Sequence, residues 1–175
     1  MTTHSSTEIA LMDEEAFVAT YGAIYEDSPW VARQAWQSCQ ADKPVETVSL
    51  ASLLQQAVDT AGPAKQLELI RSHPDLAGRA ALAGAVTDDS RDEQASAGLD
   101  QCTAGELKEF SDLNHRYRKQ FDFPFIMAVR GADRRQILSG FRERLSNSYE
   151  VEFARALTEI HKIARLRLEA MHGEC

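Results

Sequence analysis

Phe121-Asp122-Phe123-Pro124-Phe125-Ile126-Met127-Ala128-Val129 is the one stretch of this chain with strand-like composition, so its reading settles the class of fold. Proline cannot donate to a β-ladder, and no second run has the alternation needed to pair with this one. The stretch is therefore an extended connector. Phe121, Phe123 and Phe125 read as core or interface side chains.

On either side the chain carries the helical period. Thr103-x-x-Glu106 has the capping-box pattern and leads into Leu107, Phe110, Leu113 and Tyr117. Beyond Gly131, Ile137, Leu138, Phe141 and Leu145 form one stripe, and Phe153, Leu157, Ile160, Ala164 and Leu168 form another in a long final helix. Asp13 precedes a stripe of Phe17, Tyr21, Ile24 and Tyr25, and Ser28-Pro29 reads as an N-cap followed by proline at the first helical position. Leu50, Leu53, Leu54, Ala57 and Val58 form a further stripe, which Gly62-Pro63 ends while opening a helix with Leu67 and Ile70. Alanine and glycine dominate from Leu76 to Val86, predicting a short, tightly packed helical piece and then a loop at Thr87-Asp88-Asp89. Ser90-x-x-Glu93 matches a second capping box. The fold expected is all-α: a single-domain bundle of about eight to nine helices over residues 1–175, with residues 1–10 a frayed terminus.

At 175 residues and 43% hydrophobic content, one core forms without disulfide help. The net charge of -8 disfavours nucleic acid as a partner, while leaving room for a locally positive pocket. Cys39, Cys102 and Cys175 are odd in number and widely spaced, which argues against a disulfide framework or a zinc knuckle and for a cytoplasmic location. No apolar run is long enough for a membrane helix, and neither the start Met1–Thr7 nor the end His172–Cys175 reads as a targeting signal.

Among five histidines, His73 stands apart, because Pro74 disfavours helical geometry at the residue before it and so places the imidazole at a helix terminus. No H-x-x-x-H, G-x-S-x-G, G-x-G-x-x-G or P-loop spacing occurs, so local signatures for a metal, a serine triad or a nucleotide are absent. Alone, such a histidine is as readily a helix-end residue; Glu93 is the N3 member of a capping box, and Arg165 and Arg167 are solvated cations.

His73-Pro74-Asp75-Leu76-Ala77-Gly78, followed by Ser90-Arg91-Asp92-Glu93-Gln94 and by Phe121 to Gly131, resembles the OHCU decarboxylase family, which acts on 2-oxo-4-hydroxy-4-carboxy-5-ureidoimidazoline. The resemblance extends to Phe17, Ser28-Pro29-Trp30 and Glu159 to Leu168. It implies an all-helical homodimer with no metal or organic cofactor and a small-molecule substrate. It also implies that His73 is the catalytic histidine with Glu93 beside it, and that Pro74, Ser90, Arg91, Asp92, Glu93, Gln94, Phe125, Ile126, Met127, Ala128 and Val129 contact substrate. Arg167 matches an arginine that closes the site. A helical binding module and a metal-dependent hydrolase of a related ureide are the competing readings.

Overall fold

In the computed structural model, which describes residue 9 and residues 11–39 and 47–173, nine α-helices and one 3-10 turn follow one another, with no strand among the described residues. They are α1 (Glu14–Tyr21), α2 (Trp30–Ser38), α3 (Thr47–Asp59), α4 (Pro63–Ser72), α5 (Arg79–Leu82), α6 (Asp88–Ser96), the 3-10 turn (Leu99–Gln101), α7 (Ala104–Phe121), α8 (Arg134–Arg144) and α9 (Tyr149–His172). The expectation of a frayed segment over residues 1–10 falls outside the described residues except at Ile9, which is buried.

Several helix ends follow the expected signals. Asp13 caps α1 by accepting from Ala16 N–H, and the capping box of Thr103 and Glu106 is complete at the start of α7. Others depart from expectation. Ser90 is not an N-cap: Thr87 caps α6 by accepting from Ser90 N–H, and Asp88 and Asp89 form a first turn whose charge complements the helix dipole. Glu93 thus lies in the body of α6 and is not a capping residue. The stripe of Phe17, Tyr21, Ile24 and Tyr25 is buried throughout, but α1 ends at Tyr21, so its second half is carried by the following turns. α2 begins one residue later than expected, with Pro29 at its N-cap. The Ala/Gly segment forms only the one-turn α5 and buries none of it, since alanines offer little apolar area to hold a face down.

The chain groups into two compact units, one up to Ser72 together with residues from His161 on, the other His73–Ile160. In the first, Phe17 packs between Tyr21 and Trp36 with ring centroids 4.9 and 5.2 Å away. A polar chain also runs through this unit. Tyr25 Oη lies 2.8 Å from His161 Nδ1, and His161 Nε2 lies 3.2 Å from Asp59 Oδ1. Burial, helped by the Asp59 charge, pushes the Tyr25 phenol far above its ordinary value, so it keeps its proton. Burial also pushes the His161 pKa down, against the opposing pull of Asp59. Below pH ~6.5 the unfolded chain therefore takes up the proton first. The stabilisation from neutral His161 is complete above that pH and declines as pH falls toward the folded-state value. Urea unfolding from pH 7.5 down to about 5 is expected to show this decline and to show less of it in His161→Gln; equal slopes would contradict the assignment.

In the second unit Tyr117 is the hub, with the rings of Phe121, Phe123, Phe125 and Phe141 at 4.6, 6.0, 5.3 and 6.3 Å. Phe125 stacks on Phe141 at 3.7 Å. Phe123, Pro124, Phe125 and Ile126 are all buried in succession, which a half-buried strand does not do. The connector is a plug of side chains inserted among helices.

Candidate active site

α4 stops at Ser72, as Pro74 requires, and His73 follows in a bend, 6% exposed. A four-residue turn comes next, in which Gly78 N–H donates to Asp75 O at 3.3 Å. Glycine is required there, because a Cβ at Gly78 would lie 2.7 Å from Asp75 Cβ. Arg118 Nε holds Asp75 at 2.8 Å. Between this turn and α7 lies a groove of about 580 Å³ bordered by Pro74, Arg79, Asn114, His115 and Arg118.

α6 splits the run from Ser90 to Gln94. Ser90 and Gln94 are buried and Glu93 half-buried, and the three share a face at the i, i+3, i+4 spacing. Arg91 and Asp92 are exposed on the rim of a second groove, and Arg91 pairs with Asp88 at 2.6 Å. Of the five residues, Ser90, Glu93 and Gln94 are thus on the buried side. Gln94 Oε1 accepts the Ala77 N–H at 2.9 Å, tying α6 to the turn after His73.

The connector is pinned from two helices. Arg144 Nη1 donates to Ile126 O at 2.6 Å and its guanidinium lies 4.3 Å from the Phe125 ring centre. Glu159 Oε2 accepts from Ala128 N–H at 2.9 Å while its other oxygen pairs with Arg155. The Met127 main-chain N–H and C=O, between these two fixed points, have no hydrogen-bond partner among the described residues. Arg144 is itself held by Glu152, with Nη2 to Oε2 at 2.8 Å, and Tyr117 and Asn147 also donate to that carboxylate. Burial would raise the Glu152 pKa, but hydrogen bonds from Arg144, Asn147 and Tyr117 outweigh it and keep the group below the usual carboxylate range.

Arg167, in the other unit, is buried and paired with buried Glu26 at 2.8 Å. Arg165 is exposed and pairs with Glu169, so of the two neighbouring arginines Arg167 is the one set into the protein.

The family model for OHCU decarboxylase matches residues 10–169. The chain belongs to the OHCU decarboxylase family. It is 40% identical over 172 residues to a 2-oxo-4-hydroxy-4-carboxy-5-ureidoimidazoline decarboxylase of Halalkalicoccus jeotgali, covering 98% of this chain and 93% of that one. A crystal structure of (S)-allantoin synthase matches with a TM-score of 0.76 and 29% identity, over 96% of this chain and 54% of that one. A crystal structure of OHCU decarboxylase in the presence of (S)-allantoin shares the fold, with a TM-score of 0.67 at 21% identity and coverage of 93% and 99%.

In this OHCU decarboxylase family member, Gln94 joins the inner face of α6 to the turn after His73, and the pinned connector belongs to the same unit. Ala128 N–H is committed to Glu159. Asn114, Arg144, Glu152 and Glu159 were not singled out from sequence, although a signal existed. Asn114 interrupts the Phe110, Leu113, Tyr117 stripe, and Glu152 and Glu159 flank Ala156 on the buried face of α9. Polar side chains at core positions mark groups that must be satisfied inside. Among the described residues, no group of three or more His, Cys, Asp or Glu side chains is arranged to hold a metal.

Proposed function

We propose that this chain, acting as one all-helical catalytic domain, decarboxylates 2-oxo-4-hydroxy-4-carboxy-5-ureidoimidazoline and delivers (S)-allantoin. The observation that carries the reading is 40% identity across 98% of the chain with a relative named for that decarboxylation. The chemistry asks for no external electron sink. As the bond to the carboxylate breaks, its electron pair passes into the adjacent C=N and carbonyl system of the ring, and a proton delivered to the neighbouring carbon creates the stereocentre.

His73 is the group proposed to move that proton, since an imidazole titrates near ~6.5 and general acid/base catalysis of this kind contributes ~10² to 10⁴ in rate. Glu93 accepts hydrogen bonds from the ureido or hydroxyl group. Gln94 and the Met127 peptide meet the polar edges of the ring, with Pro74, Ser90 and the connector shaping the pocket.

The enzyme is further proposed to be a cytoplasmic homodimer. The odd number and wide spacing of the cysteines fit a reducing compartment, and exposed Tyr149 and Val151 at the start of α9 offer apolar surface to a second copy. Light scattering tests the dimer.

The function is tested with substrate generated in place from urate, EDTA present, following carbon dioxide release against the spontaneous decay. Acceleration by the purified protein is expected. No acceleration overturns the enzyme reading in favour of a helical binding module, and activity that EDTA abolishes would replace it with metal-dependent chemistry.

A further inference from the structure

The turn after His73 is held in a conformation that its own sequence does not prefer. Ala77, the third of its four residues, has a φ of 49°, the pattern of a type II turn, which favours glycine at that position. Types I and II differ by a flip of the central peptide, and after such a flip Ala77 would have an ordinary negative φ. The central peptide here joins Leu76 to Ala77, and buried side-chain amides grip both of its polar groups. Asn114 Nδ2 donates to Leu76 O at 2.9 Å, and Gln94 Oε1 accepts from Ala77 N–H at 2.9 Å. A flip breaks both bonds.

The remaining atoms of these amides, Asn114 Oδ1 and Gln94 Nε2, have no partner among the described residues although both are buried. Amides retained only for packing usually satisfy both ends. Here each commits one end to the same peptide, so the orientation of that peptide is what the pair secures. Because its oxygen is engaged, Gln94 has only an N–H donor left to offer. Between His73 and the turn stands Pro74 alone, whose ring fixes φ, so a change in the turn is passed on to His73.

We propose that Asn114 is a positioning residue of the decarboxylase site: with Gln94 it locks the Leu76–Ala77 peptide in its type II orientation, which sets the placement of His73 and presents Gln94 Nε2 as a donor to a substrate oxygen. The inference rests on the proposed role of His73. Asn114→Ala is expected to lower kcat per folded molecule by tenfold or more, in the range that small misplacements produce (~10²-fold per ångström).

Ala77→Gly separates positioning from plain stability. Glycine makes the type II turn favourable without Asn114, so Asn114→Ala/Ala77→Gly should recover most of the lost kcat. The His73 imidazole NMR signals, assigned by their absence in His73→Asn, should shift in Asn114→Ala and return in the double variant. If Asn114→Ala does not fold, Asn114→Ser with and without Ala77→Gly supplies the same comparison. A kcat within twofold of wild type, or a loss that Ala77→Gly leaves unrepaired, overturns the proposal while leaving the His73 reading intact. Full turnover in His73→Asn overturns that reading itself.

Discussion

His73→Asn is expected to lower kcat at least about a hundredfold with the fold retained, since asparagine keeps a hydrogen-bonding side chain of similar reach but cannot exchange a proton. The position is well suited to the role. Pro74 terminates α4 at Ser72 and leaves His73 in a buried bend, where side-chain placement is set by the neighbouring turn and not by solvent. Thermal unfolding should stay within a few degrees of wild type, because the residue lies at a helix end and outside the aromatic core. Steady-state kinetics corrected for the spontaneous decay supply the check, and a loss smaller than about tenfold would remove His73 from the mechanism.

Arg144→Met should produce the largest loss of stability of any single change considered, about 3 to 5 kcal/mol. Glu152 is fully buried, and without the guanidinium its charge would remain inside with only Tyr117 and Asn147 to solvate it. The same substitution frees Ile126 O and uncovers one face of Phe125, loosening the connector. For a chain of this length the midpoint should fall by roughly 10 °C. Replacing both partners, as in Arg144→Met/Glu152→Leu, should be markedly less damaging, because no unpaired charge is left behind. A single variant that loses less than about 1 kcal/mol in urea unfolding would show that the pair is not what fixes the connector.

The helical architecture was legible because its signals are local. Gly62-Pro63, Asp13 and the Thr103–Glu106 box each act within one turn, and the structure places helix ends beside all three. The misreadings arose where two local patterns competed. Ser90-x-x-Glu93 fits a capping box as well as Thr87-x-x-Ser90 fits a simple cap, and the choice went to the start that also sets two acidic residues in the first turn. Periodicity at Phe17 to Tyr25 likewise persisted past the helix itself, since burial continues while the chain turns.

In the candidate site, His73 stood out through Pro74, and the Ser90–Gln94 run through its resemblance to a known family. The division of that run into a buried and an exposed face followed only from the true start of α6. The supports of the site could not be paired from sequence. Asn114 reaches Leu76 and Glu159 reaches Ala128 across 38 and 31 residues, separations at which a polar residue on an apolar stripe announces a buried partner without saying which.

The central claim, an enzyme that controls both carbon dioxide loss and proton delivery, is tested most directly by circular dichroism of the allantoin formed from substrate generated in place, with EDTA present. Wild-type protein should build an optically active (S)-allantoin signal that His73→Asn does not. Racemic product from the wild-type protein, indistinguishable from the spontaneous reaction, would contradict the account.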